Sequence, residues 1–380
     1  MEPTIHRGLA GVYFDTSHIC HIDGERGELI YRGYDISELT DASYEEVVHL
    51  LWRGELPTRD ELSAFRQELA PLFALPDGVI EALRNLPKDT DPMHALRSAV
   101  SLLAAYDEDP DGVDDTNVRR IGASLLVRFP ALVATFERLR RDLPPVTPDP
   151  ELTIAGNFLY MLSGEAPSEA ATRVMDVALV LHAEHGSNAS TFVARSTASS
   201  LTDTYSAITA AVGSLKGPLH GGANAAVMKA LEAIGSVEAV EQYVLDTLAD
   251  PKGRVMGFGH RVYRVLDPRA AILRGVSERL AEESGDSTWF EMSLEMERVM
   301  DREMEKKGRQ IKANVDFFSA SVYRMLGFPS DQYTPIFAVA RISGWMAHLY
   351  EQYADNSLTR PRIHYLGETG KRFVPIDERG

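Results

Sequence analysis

The chain has 380 residues, 44% hydrophobic and 25% charged, with a formal net charge of −17. That is the composition of an ordinary soluble globular protein long enough for two domains. Its acidic balance argues against nucleic acid or an anionic membrane as partner, and no apolar run approaches the ~18 residues of a membrane span. A single cysteine, Cys20, excludes an intrachain disulfide, and residues 1–7 lack a basic region followed by an apolar core. A cytoplasmic protein without a secretory leader is expected.

In chain order, Ile19-Cys20-His21-Ile22, the turn residues Asp23-Gly24 and Glu25-Arg26-Gly27, and Glu28-Leu29-Ile30-Tyr31 read as a β-hairpin. Helical patterns dominate thereafter. Ser43-Tyr44-Glu45-Glu46 and Thr58-Arg59-Asp60-Glu61 are capping boxes, each opening an apolar run. Asp91-Pro92 and Asp149-Pro150 read as caps followed by proline at the first helical position. A continuous helical pattern covers about 167–193, and others cover 202–215, 223–234, 236–249, 269–283, 288–307, 315–326 and 335–353. A second short hairpin is expected near the end, Ile363-His364-Tyr365 against Arg372-Phe373-Val374. There is no internal repeat. The fold class is all-α, with small β-hairpins near the termini. Glycines at 217, 221, 222 and 327 bracket about a hundred residues. They suggest a smaller helical domain, 221–326, inserted into a larger one formed by 1–220 and 327–380.

Three histidines occur where an apolar helix meets a glycine-bearing turn, where a side chain can reach a cleft. His185 ends His182-Ala183-Glu184-His185, His220 sits in Gly217-Pro218-Leu219-His220-Gly221-Gly222-Ala223-Asn224, and His260 in Gly257-Phe258-Gly259-His260-Arg261-Val262-Tyr263-Arg264. Taken singly, each reads as a capping or packed histidine. Together they point to a site. Asp267-Pro268 then caps a new helix and puts Arg269 in its first turn. Asp316, beside Phe317 and Phe318, is either a dipole-favoured first-turn acid or a base whose pKa desolvation raises. Arg341, inside an apolar helix, needs an acid or a ligand carboxylate, and Arg360 in Thr359-Arg360-Pro361-Arg362 has no evident structural purpose.

These segments, in order, resemble the citrate synthase family. Residues 257–269, 218–224 and 314–316 resemble its three main motifs. Ile22-Asp23-Gly24, Tyr31-Arg32-Gly33-Tyr34, His185-Gly186-Ser187-Asn188-Ala189-Ser190 and Arg360-Pro361-Arg362 add to the likeness, which runs from about residue 8 to 374. The resemblance implies an almost wholly helical two-domain homodimer that joins acetyl-CoA to oxaloacetate, giving citrate and CoA, without metal or redox cofactor. Asp316 would then be the base, His220 would hold the enolate oxygen, and His260 would polarise the ketone. His185, Arg269, Arg341 and Arg360 would hold oxaloacetate or citrate, Arg360 from the neighbouring subunit. Arg264, Lys252, Lys307 and Lys312 are candidates for the CoA phosphates, as are Lys306 and Arg254. The family's longer, NADH-inhibited members carry an extra amino-terminal region, for which the early start of the pattern leaves no room, so a simple dimer is expected. Two rivals stand beside this reading: 2-methylcitrate synthase, taking propionyl-CoA at the same site, and a zinc-dependent hydrolase using His182, His185 and His220. A helical scaffold without activity is the non-enzyme alternative.

Overall fold

The computed structural model describes residues 3–9, 11–260 and 262–379. It is 61% helical and 3% strand, which makes the fold all-α. Strands β1 (Cys20–Asp23), β2 (Glu28–Tyr31) and β3 (Tyr34–Asp35) form one antiparallel sheet in that order, with Cys20 opposite Tyr31 and Asp23 opposite Glu28. The first hairpin is thus where the turn residues put it, and a third short strand extends it.

Among the described residues fifteen α-helices follow: α1 (Tyr44–Arg53), α2 (Arg59–Leu69), α3 (Asp77–Arg84), α4 (Pro92–Leu103), α5 (Asp115–Arg140), α6 (Ile154–Ser163), α7 (Glu169–His182) and α8 (Ala189–Ala198). The others are α9 (Thr204–Leu215), α10 (Ala223–Ile234), α11 (Val237–Ala249), α12 (Pro268–Ser284), α13 (Thr288–Lys306), α14 (Val315–Met325) and α15 (Tyr333–Ala354). Both capping boxes form, at Ser43 with Glu46 and at Thr58 with Glu61. They satisfy the first free N–H groups of their helices. Helices α5 and α15 are buried on nearly every face and cross at the centre of the core. Helices α10 to α14 pack chiefly on one another and touch the rest lightly, mainly through α10 on α15 and on the short turn Ser330–Gln332, and through α12 on α7 and on the short turn Ile36–Leu39.

Three expectations are corrected. The pattern over 167–193 is two helices, because Gly186 turns with φ +56° and Asn188 caps α8, its side chain accepting the Thr191 N–H. Asp149-Pro150 starts no helix. Asp149 accepts the Glu151 N–H in a turn, and α6 starts later behind the cap Thr153. No hairpin forms over 363–374, where the chain is extended and exposed, with Ile363 93% and Phe373 78% accessible. A two-stranded hairpin without a face to pack on is marginal in water.

Candidate active site

Four breaks between helices converge on one region. The 183–188 segment carries His185, the turn before α10 carries His220, the long connection before α12 carries His260, and the first turn of α14 carries Asp316. Helices α12 and α15 add Arg269 and Arg341, both buried.

The His260 loop is tied at its base to the start of α14. Gly259 N–H donates to Lys312 O (2.8 Å), Asn314 N–H to Gly257 O (2.9 Å), and Asn314 Nδ2 to Gly259 O (2.8 Å). Gly257 at φ +81° lies so close to Phe317 and Val227 that a Cβ would sit 2.8 Å from either side chain. Only glycine fits there. Val262 N–H and Tyr263 N–H both donate to His260 Nδ1 (3.0 and 3.1 Å), so the neutral ring carries its proton on Nε2. Tyr263 OH shares a hydrogen bond with His185 Nε2 (3.2 Å), and the two histidine rings meet edge to face at 5.3 Å.

His220 has the opposite tautomer. Ser190 N–H donates to its Nε2 (3.2 Å), with Ser190 Oγ at 2.8 Å, so the proton of the neutral ring is on Nδ1. Ser190 is itself held by Trp345 Nε1 (3.1 Å) and by Asn188 Oδ1, which accepts from its hydroxyl (2.9 Å). All three rings are uncharged at neutral pH. Burial first, then the charge of Arg341, pushes His220 down to about 4, and burial with Arg269 does the same to His260. His185 lies well below the ordinary range through burial and the charges of Arg269, His260 and Arg341.

Asp316 is pushed the other way, up to about 7, by burial that outweighs the attraction of Arg269. The residue keeps some exposure, yet its Oδ1 is shut off from water without a hydrogen-bond partner among the described residues. A carboxyl poised near neutrality suits general-base work.

The two buried arginines differ. Arg269 is engaged by Asp267, Nε to Oδ1 at 3.0 Å and Nη2 to Oδ2 at 2.8 Å. Arg341 uses only Nε, which donates to His182 O (2.8 Å), and its guanidinium lies 4.7 Å from the Phe337 ring centre. Among the described residues no carboxylate comes within 4.0 Å of it. Burial outweighs the attraction of Glu184 and holds its pKa below the usual arginine value. Its two terminal nitrogens are a fork without a partner, which suits a ligand carboxylate.

A cavity of about 850 Å³ opens beside His260 and Tyr263. Its basic lining is Arg254, Arg264, Lys307, Arg309 and Lys312, of which Lys312 pairs with Asp301 (2.9 Å). Lys252 is exposed and does not line it. Asp316, His220 and Arg341 do not line the cavity, whereas His260 and the buried Asp267 do. Arg360 is exposed in the segment after α15, and Arg261 lies outside the described residues.

The zinc reading fails on geometry. His182 donates from Nδ1 to Ala178 O (2.8 Å) and packs on Phe337, while His185 faces Tyr263 and His220 faces Ser190. Among the described residues no three His, Cys, Asp or Glu side chains cluster to hold a metal ion.

The family model "Citrate synthase, C-terminal domain" matches residues 8–362. The chain belongs to the citrate synthase family. It is 50% identical to a citrate synthase of Haloferax volcanii over the full length of both chains. It is 40% identical to 2-methylcitrate synthase 2 of Corynebacterium glutamicum, covering 99% of this chain and 98% of that one. Among solved structures, the citrate synthase of Thermoplasma acidophilum, in a ternary complex with carboxymethyl coenzyme A and oxaloacetate, superposes with a TM-score of 0.92. It is 34% identical, and the match covers 99% of this chain and all of that one.

Sequence reasoning within the family motifs missed Tyr263, Ser190 and Asp267 as working parts. The sequence assigns Tyr263 and Ser190 no role, because their partners His185 and His220 are distant in sequence, and it assigns Asp267 only that of a helix cap. Asp267 alone left a signal. An Asp-Pro-Arg start sets a carboxylate and a guanidinium two residues apart.

Proposed function

We propose that this protein is a citrate synthase: it condenses acetyl-CoA with oxaloacetate and hydrolyses the citryl-CoA formed, releasing citrate and CoA. The observation that carries this is Arg341, a buried guanidinium whose fork has no acid partner, beside neutral histidines and a carboxyl poised near neutrality.

Ionised Asp316 removes a proton from the thioester methyl group. The enolate oxygen receives the Nδ1–H of His220, which Ser190 orients from the far side of the ring. A neutral donor is close in acidity to the enol, and it is preorganised in a site with little water. His260 offers its Nε2–H to the ketone oxygen of oxaloacetate, which takes that proton as the carbon–carbon bond forms. Arg341, Arg269 and His185 hold the carboxylates, with Arg360 supplied by a second subunit. Arg264, Lys307 and Lys312, with Arg254 and Arg309, face the CoA phosphates, whereas Lys252 flanks the cavity. Water then cleaves the thioester, so acetyl-CoA, oxaloacetate and water give citrate and CoA in balance, without an added metal or redox group.

The segment 221–326 acts as the smaller domain. Its internal packing supports this, and closing it over the larger one would keep water from acetyl-CoA. A homodimer is supported by the exposed apolar tail, in which Ile363, Leu366 and Phe373 are 93%, 86% and 78% accessible. We place the enzyme in the cytoplasm. Among the described residues no helix is long and apolar enough to cross a membrane. The 2-methylcitrate synthases at 40–41% identity favour a second reading in which propionyl-CoA is the donor. Thiol release measured with each acyl-CoA in the presence of oxaloacetate tests both. Faster turnover of propionyl-CoA would replace the first reading with the second, and no release from either would remove both.

A further inference from the structure

The β1–β2 hairpin contacts the chain next to both histidines proposed to face the ketone substrate, through side chains near His185 and through close-packed backbone near His260. At one end it is fastened beside His185. Tyr31 OH donates to Glu184 O (2.7 Å) and accepts the Glu184 N–H (3.2 Å), and the Ile22 side chain comes within 3.2 Å of where a Cβ on Gly186 would stand. At the other end its turn lies against the loop that carries His260. Arg264 N–H donates to Gly24 O (2.8 Å). A Cβ on Gly24 would lie 2.8 Å from the carbonyl carbon of Val262 and closer still to its oxygen, so the two backbones meet without room for a side chain. Gly27, at φ +71°, would set a Cβ 2.8 Å from Val265 Cγ2. The turn is itself stiffened by Asp23, whose Oδ1 accepts the N–H groups of Glu25 (2.9 Å) and Arg26 (3.0 Å).

The segment it grips is the one that orients the site. The N–H groups of Val262 and Tyr263 fix the His260 ring, the Tyr263 hydroxyl meets His185, and the Arg264 side chain lines the cavity. The base of the same loop is tied to residues 312–314, so His260 hangs between two anchors, one near α14 and one on the hairpin. Among the described residues, the Arg264–Gly24 bond is the backbone hydrogen bond that joins residues 262–264 to the hairpin.

We propose that the hairpin turn is a positioning element for catalysis: through Gly24 and Gly27 it sets where His260 stands relative to His185, and so where the ketone is held. This rests on the citrate synthase reading for its consequence in turnover, but its structural half can be read without turnover. Misplacing a catalytic group by about 1 Å can cost up to ~100-fold in rate, so a displaced turn should register strongly.

The test uses the full-length protein carrying Gly24→Ala, and separately Gly27→Ala with and without Val265→Ala. Two quantities are read. One is the pair of imidazole nitrogen resonances of His260, which distinguish an accepting Nδ1 from a free one. The other is kcat with acetyl-CoA and oxaloacetate. Gly24→Ala is expected to keep its helical circular dichroism, to lose the accepting Nδ1 signature, and to lose at least ~10-fold in kcat. Gly27→Ala should show the same two changes. Val265→Ala in that background should recover part of both, because it removes the side-chain atom a Cβ would strike while the backbone strain at φ +71° remains. Gly24→Ala with an unchanged His260 signature overturns the proposal. If Gly24→Ala does not fold, the Gly27 pair decides: no recovery of the His260 signature on adding Val265→Ala also overturns it. A wild-type protein that releases no CoA would overturn the functional reading alone, since the nitrogen resonances would still report the anchor.

Discussion

Asp267 and Arg269, two residues apart in the first turn of α12, form a buried bidentate ion pair, and the same carboxylate accepts the Val315 N–H (3.3 Å) from the turn that carries Asp316. One side chain therefore caps α12, neutralises a buried arginine and ties the start of α14 to it. Asp267→Asn would leave Arg269 buried without its counter-charge. Breaking a buried pair from one side costs about 3–5 kcal/mol, and urea unfolding should show a loss of that order. Oxaloacetate should restore part of it by supplying a replacement carboxylate. A loss under about 1 kcal/mol, ordinary for an exposed pair, would mean that Asp267 does not carry Arg269. Although burial alone would raise it, Arg269 holds the Asp267 carboxyl below the usual range. The pair's stabilisation is thus present above about pH 4 and is lost as the pH falls through the lowered folded value.

Asp316 has the opposite sign. Its folded value of about 7 lies above the ordinary 3.8, so ionising it costs folding stability, fully so above pH 7 and not at all below about pH 4. Asp316→Asn should be more stable than wild type at pH 8 and equal to it at pH 4, measured by thermal unfolding at both. The same variant should lose at least ~100-fold in turnover while keeping its oxaloacetate affinity, because the carboxylates are held elsewhere. More than a tenth of wild-type turnover would exclude Asp316 as the base.

The pH profile follows from the same values. The base must be ionised, so kcat/KM for acetyl-CoA should fall tenfold per unit below about pH 7. His220 and His260, neutral down to about 4, should add no second bend before then. A second bend, between that of Asp316 and pH 4, would show a histidine titrating in a solvated setting, contrary to their burial.

What the chain reveals of itself before folding is mostly local. The capping boxes at Ser43 and Thr58 and the hairpin turn at Asp23-Gly24 act within a few residues, so they could be read directly. Helix α5 could not, since it is buried on nearly every face and carries Pro130 inside. A helix buried all round shows no amphipathic period. The tail over 363–374 has strand-like residues, but it is exposed and forms no regular structure. Among site residues, Asp316 and Arg341 stood out because a charge in an apolar run demands a partner. Tyr263 did not, because a buried tyrosine reads as core until His185 is seen beside its hydroxyl. Gly24 was legible as a turn, and only the structure shows that Val262 leaves it no room for a side chain.

Arg341 and His220 should separate binding from catalysis. Arg341→Lys replaces a two-pronged fork by a point charge and should raise the oxaloacetate KM, at a cost of roughly 1–3 kcal/mol, with little change in kcat. His220→Gln should chiefly lower kcat, because its hydrogen bond strengthens only as the enolate forms. Steady-state kinetics on both variants checks the division. It is wrong if the two weaken oxaloacetate binding equally and leave turnover intact.

Sharing of the site between subunits is open to a complementation test. Arg360 is exposed in its own chain and precedes the tail whose apolar residues are largely exposed. If it completes the site of a second copy, Arg360→Ala and Asp316→Ala homodimers should each be nearly inactive. In a hybrid dimer, one site then combines the intact Asp316 of the first chain with the intact Arg360 of the second, while the other site collects both lesions. Unfolding the two variants together and refolding them should restore activity, with at most one working site per hybrid. Were Arg360 to act within its own chain, every site would keep one lesion and nothing would return. Hybrids verified by capture of a tagged subunit, yet as inactive as either parent, would rule out the shared site.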